Sequence, residues 1–204
     1  GLCRDALKQI LRMTRSSFDE RSTRTLATLV RNELASVLTA AGKLDEAQQQ
    51  YRLSLETQLH LLPFGMTPKE HAFAVLGSEI DQLKGRLKPE PTFNYAHTQY
   101  GLGVLLERIG RTEESEILLD EARRGAGMLA KLFPHVLRYK ALEGSALSEL
   151  ANLRSESSPQ NAARNLKSAL AVWRDLTERA PKVAGYQEKL ENTQQRLKCM
   201  SASS

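Results

Sequence analysis

The chain has 204 residues, 41% of them apolar and 26% charged, enough for one substantial core and too mixed in composition for a disordered segment. Aromatics make up only 5%, while Ala, Leu, Glu, Arg and Gln are abundant, which favours helix and excludes an all-β fold. A net charge of +5 assists contact with acidic surfaces without requiring it, and the absence of any run of about 18 apolar residues excludes a membrane-spanning helix.

Periodicity predicts helices, in chain order, over 4–14, 23–41, 44–60, 68–87, 93–109, 112–131, 136–154, 159–179 and 184–199. The first of these, RDALKQILRMT, reads as the second half of a helix pair. It lies in the most basic part of the chain, where Arg4, Lys8, Arg12, Arg15, Arg21, Arg24 and Arg31 outnumber Asp5, Asp19 and Glu20. That excess is either a solvated helix face or a contact for an acidic partner. Residues 61–91 form an irregular element: LPFGMTP and KPEP act as breakers around an amphipathic stretch with no counterpart elsewhere. Gly1 in place of Met implies a processed or excised start. Cys3 and Cys199, at opposite ends, make neither a disulfide framework nor a metal-ligand spacing, so a reducing, cytoplasmic setting is expected.

The sequence matches itself at a fixed offset. Moving 68 residues along takes Leu34 to Leu102, Ala35 to Gly103, Leu38 to Leu106, Gly42 to Gly110, Ala47 to Ser115, Tyr51 to Leu119 and Ser54 to Ala122. A further 48 takes Leu102 to Leu150 and Gly103 to Ala151, and 47 takes Ser115, Leu119 and Ala122 to Ala162, Leu166 and Ala169. The offset of 47 continues from Pro134, Tyr139 and Leu150 to Pro181, Tyr186 and Leu197, so the array extends into the last helix. The chain is therefore expected to be a single helical domain, with clear repeats at about 23–60, 93–131 and 136–179 and a terminal helix at 184–200.

Helix packing in pairs explains this pattern. Ala35, Gly103 and Ala151 on the first helix of each pair should face Ala47, Ser115 and Ala162 on the second, because small residues let the axes approach. Tyr51, Leu119 and Leu166 should fill the space towards the next pair. Gly42 and Gly110 fall where the first helix must end, as glycine tolerates the left-handed cap conformation. In the third copy Ser158 is placed as the amino-terminal cap and Pro159 as the first helical residue. Trp173, four residues after Ala169, should pack in the core against the last helix.

The spaced pattern of Leu, small residue, large apolar residue, Gly, small residue, large residue and small residue resembles the tetratricopeptide repeat. It is met by Leu34, Ala35, Leu38, Gly42, Ala47, Tyr51 and Ser54, and again by Leu102, Gly103, Leu106, Gly110, Ser115, Leu119 and Ala122. The third copy departs at Arg154, where the family usually has an apolar side chain. The FP and AP junctions before Tyr139 and Tyr186 resemble arrays attached to large bacterial regulatory proteins, including protein kinases, and the long helices are similar to the kinesin light chain type of array.

The resemblance implies an all-α fold, a right-handed superhelix of antiparallel helix pairs whose first helices line a concave groove. It implies a non-enzymatic interaction scaffold that binds a peptide, a partner helix or a second copy of itself. Groove-facing positions carried over from the family are Asn32, Ser36, Thr39, His97, Tyr100, Val104, Arg108, Ser148 and Asn152. Asn32, Ser36, Tyr100 and Ser148 stand where chaperone-tail-binding members place Lys and Asn, which disfavours a two-carboxylate clamp. The other functional reading is a regulatory or sensory segment of a larger bacterial protein, such as a Ser/Thr kinase or a transcription regulator.

Residues for other chemistry are scattered. His60, His71, His97 and His135 have no second ligand at metal spacing, so no metal and no cofactor is expected. GLGVLLERIG lies within a helical period rather than in a phosphate-binding turn. Glu113, Glu114 and Glu116 suit a helix start better than acid–base work. His97 and Tyr100, three residues apart, either touch a bound peptide or serve structure alone. Arg164, Lys167 and Arg174 share a helix with Trp173 but lack interleaved aromatics, so RNA is not expected as a partner.

Overall fold

The structure, a computed structural model, describes residues 20–59 and 89–202. They form seven α-helices: α1 (Glu20–Ala40), α2 (Leu44–Leu59), α3 (Pro89–Arg108), α4 (Thr112–Leu132), α5 (Leu137–Leu153), α6 (Pro159–Arg179) and α7 (Ala184–Ala202). Among the described residues there is no strand, and no helix is long and apolar enough to cross a membrane. The expected helices at 4–14 and 68–87, and with them most of the irregular element 61–91, lie outside the described residues.

Consecutive helices pack on one another throughout, α1 on α2 and so on to α6 on α7. A second set of contacts joins only odd-numbered helices across the one between: α1 touches α3, and α3 touches α5, while α2, α4 and α6 make no comparable contact with each other. The odd-numbered helices therefore converge on one side of the array.

The small residues do the work their positions suggest. Ala35, Ala47, Ala151 and Ala162 are at most 1% exposed. At the α3–α4 crossing, the Ser115 hydroxyl donates to the Gly103 carbonyl at 2.8 Å, and a Cβ added to Gly103 would lie 2.8 Å from Leu119 Cγ. Leu119 thus packs within its own pair as well as being fully buried. Tyr51 reaches to the next pair, its ring lying over Gly101 of α3. Gly42 and Gly110 have φ of +73° and +79°, the left-handed conformation that ends α1 and α3.

Trp173 is 1% exposed and is held from two sides. Its ring lies against Gly144 of α5, and its centroid is 6.2 Å from that of Tyr186 on α7. Arg154, the residue out of pattern in the third copy, sits at the carboxy-terminal cap of α5 and donates to Glu116 of α4 at 2.9 and 2.6 Å. Glu116 is therefore an ion-pair partner rather than a purely solvated acid.

Two local expectations are corrected. Ser158 does precede α6, with Pro159 in its first turn, but its side chain makes no capping bond and instead accepts from Asn161 at 2.8 Å. Pro89 and Pro91 of the KPEP stretch do not break a helix. They lie in the first turn of α3, which starts at Pro89 rather than residue 93, because first-turn residues have no intrahelical acceptor to lose.

Candidate functional site

Side chains along the odd-numbered helices link each helix to the next. From α1, the Asn32 amide donates to the Thr98 hydroxyl of α3 at 2.7 Å. From α3, the Tyr100 phenol lies near enough to Ser145 and Glu149 of α5 for both to influence its ionisation. From α7, Arg196 donates to the Asn152 side chain and, at 3.4 Å, to the Ser148 carbonyl of α5. Asn152 in turn donates to Glu149 at 2.8 Å.

The nine residues expected to face a groove are not equivalent. Asn32 is the correction: it is 4% exposed and its amide is spent on Thr98, because a short side chain at this position reaches α3 and is covered by it. Ser36 is exposed, and Thr39 is half-buried with its hydroxyl bonded to the Ala35 carbonyl at 2.8 Å. Val104 is half-buried and Arg108 exposed in the last turn of α3, where a cation suits the helix dipole. Ser148 is half-buried with its hydroxyl turned to the Gly144 carbonyl at 3.0 Å, and Asn152 is exposed.

His97 and Tyr100 lie three residues apart on α3 in different surroundings. The His97 ring stacks on Phe93 at 5.9 Å and is accessible to solvent. Desolvation by surrounding protein nevertheless lowers its pKa below the usual imidazole value, with the Glu33 carboxylate pulling the other way. Burial raises the Tyr100 pKa, and the Glu149 carboxylate adds to the rise. Glu107 also has a raised pKa, from burial first and then from Glu149, with Arg108 opposing.

The sequence reading missed the last wall of this face. Glu149 of α5 and Glu188, Lys189, Asn192 and Arg196 of α7 border a polar cleft of about 490 Å³, shared with Ser148 and Asn152. Burial lowers the Arg196 pKa and Glu149 opposes that shift, which leaves the guanidinium charged beside a carboxylate. The register could have found it: 47 residues separate Glu149 from Arg196, so the offset that carried the array into the last helix also names the residue there. Among the described residues no group of three His, Cys, Asp or Glu side chains is arranged to hold a metal ion.

No protein-family model matches the chain, and no curated protein matches its sequence. Among solved structures, the fold is similar to that of BtubC (BKLC) from P. vanneervenii, with a TM-score of 0.56 over 99% of this chain and 71% of that chain. The two are 19% identical, so the likeness bears on fold alone.

Proposed function

We propose that the chain is a tetratricopeptide-like right-handed superhelix and a non-enzymatic interaction scaffold, which takes a peptide or partner helix along the face of its odd-numbered helices. One observation carries this reading: the odd-numbered helices converge and are tied together by polar side chains, which leaves a continuous face with His97, Tyr100, Glu149, Asn152 and Arg196 along it. A bound chain would find an aromatic surface at Phe93 and His97, and opposite charges at Glu149 and Arg196 that fix its direction. Tyr100 and Asn152 are already positioned by neighbours, so little side-chain entropy is lost when they contact a ligand. A cytoplasmic setting and a protein partner rather than RNA belong to the same reading.

The test is selection of binding peptides from a random display library, followed by affinity measurements on variants. Arg196→Glu and His97→Ala should each weaken the selected peptides by about tenfold, equivalent to about 1.4 kcal/mol. Ile117→Asp, on the exposed face of α4, should leave them unchanged. Peptides insensitive to the first two variants and lost with the third would overturn the proposal.

A further inference from the structure

The end of the described array carries a second surface. Between α6 and α7 runs a trough of about 1010 Å³. Its floor is apolar, made by Ala163 and Leu170 of α6 and Leu197 and Met200 of α7, all half-buried. Its rim is positive: Lys167 and Arg174 stand on α6 and Lys198 on α7, and no acidic side chain is among the described residues that line it.

Shape narrows what fits. The lining on α6 runs from Pro159 to Arg174, about 22 Å at the helical rise of roughly 1.5 Å per residue. Small ligands are held in compact clefts that enclose most of their surface, whereas an open apolar trough four turns long suits an amphipathic helix. The repeat register points the same way. Leu197 stands 47 residues after Leu150, and Leu150 is fully buried in α5, which α6 covers.

We propose that this trough docks an acidic amphipathic helix of another protein, its apolar anchors on Leu170 and Leu197 and its carboxylates on Lys167 and Arg174. This surface is distinct from the odd-helix face, so it can fail or succeed independently of that reading.

The probe is a synthetic amphipathic helix of about 18 residues, long enough to retain helical structure, with Leu at i, i+4 and i+7 and Glu on the flanks. A matched peptide carries Lys for Glu. Fluorescence anisotropy should show the Glu peptide binding at least about tenfold more tightly than the Lys peptide, with affinity falling as salt rises. The double variant K167E/R174E, at exposed positions, should abolish that preference without altering the circular dichroism. Leu170→Asp should remove binding, while Arg196→Glu on the other face should leave it intact. Failure of the Glu peptide to bind, equal binding of both peptides, or insensitivity to K167E/R174E would overturn the proposal. So would tighter binding of a single-stranded RNA oligonucleotide at the same residues. Concentration-dependent self-association abolished by K167E/R174E would instead identify a second copy of the chain as the occupant, and would equally overturn it.

Discussion

The first and last junctions of the array both hold an apolar core, and the first adds a buried polar cluster to it. Between α1, α2 and α3 the polar cluster lies beside an apolar one that includes Leu34, Leu38, Tyr51, Leu102 and Leu106. The Thr98 hydroxyl donates to the Asn94 carbonyl at 2.8 Å and accepts from Asn32 at 2.7 Å and Gln58 at 3.1 Å, while Ser54 donates to the Thr28 carbonyl at 3.3 Å. Between α5, α6 and α7 the buried layer is apolar, with Trp173 among Leu147, Val172, Leu176, Tyr186 and Leu190. A repeat register does not fix the chemistry of a junction. Apolar packing derives its stability from area removed from water, whereas the polar cluster depends on its hydrogen bonds, and the buried Asn32 Oδ1 has no partner among the described residues.

Substitution at the apolar junction should have the largest effect. Trp173→Ala should destabilise by about 3–5 kcal/mol, measured by urea denaturation, since it leaves a cavity against Gly144 and Tyr186. Thr98→Val sharpens the contrast at the other junction. It preserves volume but strands the Asn32 and Gln58 amides, and should cost about 1–3 kcal/mol. If the polar cluster depends on mutual satisfaction, adding Asn32→Leu and Gln58→Leu should recover much of that loss rather than add to it. Loss that simply accumulates would show that these side chains act independently.

Smaller effects test the turns and the face. Gly110→Ala at φ +79° should cost about 1 kcal/mol in thermal unfolding, more than a substitution at the solvent-exposed Ile117. For His97 the folded pKa is lowered, so the unfolded chain binds the proton more readily as pH falls below the ordinary imidazole value of about 6.5. The contribution is complete above that pH and is lost as pH falls towards the folded pKa. His97→Gln should flatten this part of the pH dependence of Tm, and an unchanged profile would place the imidazole in ordinary solvent.

The helices and the packing of consecutive helices were largely legible from the sequence because pairing requires small residues at fixed spacing. Ala35, Gly103 and Ala162 announce helix crossings, and Gly42 and Gly110 announce helix ends, through steric demands that only a few residue types meet. Pro89 and Pro91 misled because proline is disruptive inside a helix and harmless in its first turn, and composition alone does not distinguish the two. The face was legible only in part. A register position says which way a side chain starts, and its length and its neighbour decide where it ends. Asn32 and Tyr100 occupy equivalent positions, yet Asn32 is covered by α3 whereas Tyr100 remains half-buried near Glu149. Arg196 went unnoticed because its role is set by Asn152 and Glu149, which lie on a helix more than forty residues earlier in the chain.

Convergence of the odd-numbered helices is the claim on which the functional reading stands, and paired spin labels measure it directly. Ser36 on α1 and Asn152 on α5 are two repeats apart on the odd-numbered helices, and Gln49 on α2 and Arg164 on α6 are two repeats apart on the even-numbered ones; all four are exposed. Pulsed electron-paramagnetic-resonance distances should be clearly shorter for the 36–152 pair than for the 49–164 pair. Equal distances, or a shorter one between the even-numbered helices, would contradict a partner-binding face lined by α1, α3, α5 and α7.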